Sequence, residues 1–530
     1  MADPPAVPDE LRDPNTPPDV VVTLQAPAPI TDPTLGIEVP RRDGDAARHR
    51  LVSIGDSLSH GFQSFAIFNT DLSYPALVAA ELGWYDAFLR PEYRGFGGLP
   101  LNLEYLTRQL DDRYGSEPAW WELGPALLYV HHTLREICDF WEEGQGSQVP
   151  VAPGLMHNLA VSGYDIRDVM ARTAATERAR IKTLPASLLH LVARNSGELM
   201  GLYVLQSAVD AQRRPLTPVG AAEALGQDGG IETLIIFIGA NNALGTMTDL
   251  HVAWSGPDYD TLDGKGSYTV WRPIHFAAEL ELLVEQVRRV RAQHVIWATV
   301  PHVTIVPIAH GVGDEKMRPG SRYFSYYTRP WIPDDRFDPA VDPHVTGNQA
   351  RAIDSAIDQY NQVIAGHVRA AREAGIDWLL LDTCGLMDRL ASRRYAVDQA
   401  ARPPWWTPYE LPAAVQALDP VPDSRFFATD QRGRCAGGLF SLDGVHPTTI
   451  AYGLMAQEFV DVMAGAGVVF PGPDGRPRQG PVQIDFGRLI GRDTLISDPP
   501  RGVTPDLKLL GWANEALDWV KGMGRIFASA

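Results

Sequence analysis

Residues with the chemistry of nucleophilic catalysis stand at two distant places in this chain. Ser57 follows the apolar run Leu51-Val52-Ser53-Ile54-Gly55, which reads as a strand that stops at the glycine. Gly55 lets the backbone turn sharply. Ser57 then opens a helix, whose first N–H groups have no partner inside the helix and favour a nearby anion. A serine placed there lies at the carboxyl end of a strand, the edge on which open α/β sheets bind ligands. Near the other end of the chain stands Asp443-Gly444-Val445-His446-Pro447-Thr448. An imidazole that takes a serine proton needs one nitrogen on the hydroxyl and its other N–H held by a carboxylate. An aspartate three residues before the histidine, on one turn, can orient the ring with little loss of chain entropy. Two further strand ends reach polar residues. Leu159-Ala160-Val161-Ser162 ends in Gly163, and the continuous apolar run Thr233-Leu234-Ile235-Ile236-Phe237-Ile238 reads as a buried parallel strand that delivers Asn241 to the same rim.

Gly55-Asp56-Ser57-Leu58, Gly163, Gly239-Ala240-Asn241 and Asp443-x-x-His446-Pro447 occur in the order of the four sequence blocks of the GDSL (SGNH) hydrolases, a family of serine esterases and lipases that the chain resembles. The resemblance covers about residues 51–463. It also takes in Tyr360-Asn361 and a strand ending in Pro301. It implies a three-layer α/β/α sandwich around a five-stranded parallel, flavodoxin-like sheet. It implies a triad of Ser57, Asp443 and His446, and an oxyanion hole formed by the N–H groups of Ser57 and Gly163 and the side-chain amide of Asn241. One position departs from the pattern: Asn242 stands where the family usually has an aspartate, which puts the local hydrogen bonding in question. No Gly-x-Ser-x-Gly occurs, which disfavours the larger α/β-hydrolase family.

With 45% hydrophobic and 21% charged residues the chain has ample material for a core. A net charge of −19 argues against nucleic acid and anionic lipid as partners. Cys138, Cys384 and Cys435 are few and scattered, so neither a disulfide framework nor a thiolate zinc site is expected. No His-Glu-x-x-His, Walker A loop or Gly-x-Gly-x-x-Gly is present, and no cofactor or metal is expected. The sequence has no basic-then-apolar leader and no run of about 18 apolar residues. The expectation is a cytoplasmic protein without a transmembrane segment, acting on a small-molecule or lipid ester.

The elements that must position these residues divide the chain into three parts. Residues 1–46 are acidic and proline-rich and read as an extended lead segment packed along the surface. Residues 47–465 carry the five strands, near 50–55, before Gly163, and at 233–238, 294–300 and 376–382. Helices are expected at 73–83, 276–293, 348–374 and 449–463. Insertions interrupt this unit at about 84–155, 302–348 and 383–438. The first is rich in aromatics and predicts helices near 101–113 and 124–142. It reads mainly as a cap with its own core, and also as a lid whose aromatics line an acyl or aryl pocket. Helices are expected over 166–180 and over 186–211, the latter interrupted near Gly197. His302, His310 and His344 fit no ligand spacing and read as solvated or packing residues. Residues 466–530 form an extension with an amphipathic helix near 505–521. Hydrolysis of a hydrophobic acyl or aryl ester is the expected function. The alternatives are a binding protein on the same fold with an occluded serine, an acyltransferase and a carbohydrate deacetylase.

Overall fold

The computed structural model describes residues 7–40, 46–115, 123–181, 192–313, 317, 321–472 and 474–503. Its centre is a parallel sheet of four strands, β1 (His49–Gly55), β2 (Ile231–Phe237), β3 (Ala292–Ala298) and β4 (Trp378–Leu381), in that spatial order. The register lines Val52, Leu234, Val295 and Trp378 across the sheet. Side chains alternate between the faces of a strand, and this sheet buries both sets. Val52, Ile54, Leu234, Ile236, Trp297 and Leu380 enter one core; Leu51, Ile235, Phe237, Ile296 and Leu381 enter the other. That is why these strands read as continuous apolar runs.

Helices cover both faces. In chain order they are α1 (Ser57–His60), α2 (Tyr74–Glu81), α3 (Leu103–Tyr114), α4 (Leu123–Glu142), α5 (Ser196–Leu205), α6 (Pro218–Gln227), α7 (Pro273–Val287), α8 (Gly347–Glu373), α9 (Thr383–Leu390) and α10 (Thr449–Ala466). Helices α2 and α10 supply the second core, with Tyr74 stacked on Phe459 at 4.7 Å. The 27-residue α8 opens on a Thr346–Gln349 capping box. Its Asn361 clamps the end of β3, accepting the Val300 N–H at 2.7 Å and donating to the Val300 carbonyl at 2.9 Å.

The sheet differs from the expected five strands. The segment ahead of Gly163 runs parallel beside β1: the Ser53 N–H donates to His157 O, and the Leu159 and Val161 N–H groups donate to Ser53 O and Gly55 O. Only Ser53 and Asn158 form a bridge pair. The Asn158 side chain braces this segment, its Oδ1 accepting the Ala160 N–H at 3.2 Å and its Nδ2 donating to Ser59 O at 2.8 Å.

Residues 7–40 reach the outer edge of β4, where the Leu380 N–H donates to Pro33 O at 3.0 Å. The span 166–180 is not one helix. Asp168–Ala171 and Ala174–Arg180 are separated by Thr173, which caps the second with a hydrogen-bonded box. In the span 186–211, residues 192–195 are not helical, so a break falls just before Gly197, and α5 ends at Leu205 rather than near 211; residues 182–191 lie outside the described part. The amphipathic helix expected near 505–521 also falls outside the described residues. No described helix is long and apolar enough to cross a membrane.

Candidate active site

The end of β1 holds Ser57 through steric necessity. A Cβ at Gly55 would collide with Ser59 Oγ and the Phe237 carbonyl, so only glycine fits between β1, α1 and β2. Asp56 caps α1, its Oδ1 accepting the Leu58 N–H at 3.0 Å. Burial pushes the Asp56 carboxyl up to about 7, and its Oδ2 has no hydrogen-bond partner.

Asp443 and His446 reach the same place from the turn before α10. Gly444, at φ +66°, makes the turn tight, and a Cβ there would meet the Phe426 ring at 2.7 Å and the Ile308 nitrogen at 2.9 Å. Asp443 Oδ1 accepts the Val445 and His446 N–H groups, each at 2.8 Å, while Oδ2 accepts the Phe65 N–H at 2.7 Å and contacts His446 Nδ1 at 3.0 Å. Burial alone would push this carboxyl up. The His446 ring and the N–H donors outweigh it and hold the group below its ordinary value. His446 Nε2 stands 2.9 Å from Ser57 Oγ. With Nδ1–H donated to a carboxylate, Nε2 is the acceptor for the serine proton. The imidazole also packs on Phe62, with ring centroids 4.5 Å apart.

Gly163 and Asn241 are joined to each other. Gly163 has φ +81° at the third position of the turn from Val161 to Tyr164, where the Tyr164 N–H donates to Val161 O at 3.2 Å. Such a turn needs a positive φ at that position. One amide N–H of Asn241 donates to the Tyr164 carbonyl at 2.8 Å. The second hydrogen of an amide nitrogen remains to donate elsewhere. Neither Gly163 nor Asn241 hydrogen-bonds Ser57 Oγ among the described residues. Asn242 Oδ1 accepts the Ile166 N–H at 3.3 Å, but its buried Nδ2 has no partner. An aspartate at that position would present an acceptor where this chain leaves a donor unmet.

Sequence reasoning missed His60. It ends α1, is fully buried, accepts the Ser162 N–H at Nδ1 (3.1 Å) and holds Tyr93 Oη at Nε2 (3.0 Å). Burial pushes its imidazole down to about 3, so it is neutral and its proton sits on Nε2. The only signal in the sequence is its position one turn after Ser57.

Ser57 and His446 line a cavity of about 90 Å³ walled by apolar side chains, among them Leu244, Val303, Val306 and Met387. The described aromatics of 84–155 are not among its lining residues. Tyr93, Phe96, Phe140 and Trp141 pack on one another instead, so the expected lid wall is not found there and the cap-core reading fits. His302 also borders this cavity and is not solvated. It is wedged between Asp358 at 3.0 Å and Asp388 at 3.2 Å. Burial alone would lower its pKa. The Cys384 thiol and the carboxylates of Asp354, Asp388 and Asp358 overcome that and raise it well above its ordinary value. His302, Asp358 and Cys384 hold ligand-type atoms within 4.8 Å of one another, the spacing of a cation site. Both imidazole nitrogens are engaged by carboxylates, and burial pushes the thiol up to about 12, which keeps it a poor ligand. The group reads as a buried ion pair.

No protein-family model matches the chain, and no curated protein matches it.

Proposed function

We propose that the chain is a serine esterase of the GDSL (SGNH) kind, with residues 47–465 as the catalytic unit. The continuous hydrogen-bonded line from Asp443 through His446 to Ser57, assembled at the carboxyl ends of parallel strands, carries this reading. Counting the segment beside β1 as an irregular fifth strand gives the flavodoxin-like order that the family resemblance implies.

His446 removes the proton of Ser57 as its oxygen attacks the ester carbonyl. Asp443 holds the ring in the required tautomer and stabilises the imidazolium. The N–H groups of Ser57 and Gly163 and the free amide hydrogen of Asn241 take the charge on the carbonyl oxygen. His446 protonates the departing alcohol, then activates the water that frees the acid. The apolar cavity of about 90 Å³ suits a short acyl chain; it is smaller than the ~150 Å³ apolar cavity that takes benzene in another protein.

A second reading, a binding protein with an occluded serine, draws on the 4% exposure of Ser57. Intact-mass measurement after treatment with a fluorophosphonate separates the two. One adduct on the wild type, absent from Ser57→Ala, is the expected result. An unlabelled but folded wild type would overturn the esterase reading.

A further inference from the structure

Arg322 is charged, 4% exposed, and among the described residues has no hydrogen bond within 3.5 Å at any of its three guanidinium nitrogens. One face of the guanidinium lies over the Tyr323 ring at 5.0 Å, and the Tyr395 hydroxyl lies close by. The nearest carboxylates, Asp354 and Asp388, stand at 4.0 Å, outside hydrogen-bond range. Both are already taken: Asp354 by Arg394 at 3.2 Å and Thr304 at 2.7 Å, Asp388 by His302 at 3.2 Å. The charges of Arg322, Arg394 and His302 are therefore matched by Asp354, Asp358 and Asp388, while the donors of Arg322 go unmet. Leaving buried donors unmet is costly, so the site is incomplete as it stands.

Arg322 opens onto a cavity of about 500 Å³, and Trp331 lines the same cavity with its indole Nε1 likewise buried and unpartnered. This volume is in the range of small-molecule sites. Among the described residues four arginines line it and no acidic residue does, in a chain of net charge −19. Of the other arginines, Arg393 is tied to the Gly311 and Gly313 carbonyls, Arg425 to Asp423, and Arg394 to Asp354. One free guanidinium plus one indole N–H suits a singly charged acceptor with two oxygens. Phe324, Tyr327 and Phe426 supply an apolar, aromatic wall. The cavity is separate from that of Ser57. Val303 and Val306 face Ser57, whereas Thr304, Ile305, Pro307 and Ala309 of the same segment face the arginines.

We propose that this cavity binds a small monocarboxylate with an aromatic or branched apolar body, its carboxylate on the Arg322 edge and Trp331 Nε1. The ligand sits directly behind the turn that carries Asp443 and His446, since the intervening Ile308 N–H donates to Gly444 O at 2.9 Å. The inference does not rest on the esterase reading.

Calorimetric titration of the full chain with 4-phenylbutyrate, and with its neutral amide as the control, tests it. The acid is expected to saturate below about 10 mM and to bind about tenfold or more tightly than the amide. Arg322→Gln is expected to abolish that preference. Should Arg322→Gln not fold, Trp331→Phe, which removes one N–H and keeps a ring, is expected to weaken the acid several-fold and leave the amide unchanged. Equal binding of acid and amide, no saturation, or an acid preference that survives these substitutions overturns the proposal, and leaves a cavity filled by water.

Discussion

His60 Nδ1 accepts the backbone N–H of Ser162 at 3.1 Å, tying the helix that begins at Ser57 to the turn that carries Gly163. The two segments have no covalent reason to keep a fixed distance. Beside the hydrogen bonds from Asn158 Nδ2 to Ser59 O and from the Val161 N–H to Gly55 O, a buried, neutral imidazole holds them together, its other nitrogen fixed on Tyr93.

On the proposed mechanism, His60 is a positioning residue for the Gly163 donor. His60→Ala should lower kcat by about tenfold or more per fluorophosphonate-titrated site, with a smaller change in KM, because the displaced donor acts on the transition state. His60→Asn, whose side-chain oxygen can meet the Ser162 N–H, should recover part of the loss. A role in folding alone would reduce the number of titratable sites and leave kcat per site unchanged.

Asp443→Asn places an amide where five donors converge, from Phe65, Ser441, Val445 and the backbone and ring of His446. The carboxamide cannot accept at both ends, so the His446 tautomer is lost. Steady-state ester hydrolysis should fall by about 10⁴-fold, as for the equivalent change in another serine hydrolase. A loss under tenfold would remove Asp443 from the proposed triad.

Asn241→Ala deletes the amide that bridges to the Tyr164 carbonyl. Turnover should drop by about 100-fold or more, the usual cost of one oxyanion donor. A negligible kinetic change would show that Asn241 only braces the Gly163 turn.

Asp493 offers a test of stability away from the reacting groups. Its Oδ2 accepts the Ile450 N–H at 2.9 Å in the first turn of α10, and burial, aided by the charge of Glu104, pushes its carboxyl up to about 7. A raised carboxyl favours the folded state below its unfolded value of 3.8, and that contribution is lost as pH rises through about 7. The change is of order 4 kcal/mol across the window. The melting temperature of the wild type relative to Asp493→Asn should therefore fall from pH 5 to pH 8, and a difference that stays constant over that range would refute the assignment.

Much of the scaffold was legible because it is written locally. The runs at Leu51–Gly55 and Thr233–Phe237 identify strands buried on both faces, and the capped amphipathic pattern of Gly347–Glu373 identifies α8. Asp443 and His446 share one turn, so their spacing alone predicts contact, and Ser57 at a strand end predicts a reacting edge. The segment before Gly163 runs parallel beside β1 with a single bridge pair, a shortness that apolar periodicity does not reveal. The break at Thr173 was missed because a local capping box outweighed apolar spacing.

Other relations were decided by tertiary packing. The 2.9 Å meeting of Ser57 with His446 joins segments 389 residues apart. The sequestering of the aromatics away from the Ser57 cavity, the wedging of His302 between two carboxylates and the unmet N–H edge of Arg322 also depend on which distant segments share a volume. Local sequence sets what each segment can offer: a period, a turn, a donor. Whether an offered donor finds an acceptor is settled when the segments pack, because hydrogen bonds act over about 3 Å and chain spacing says nothing at that range.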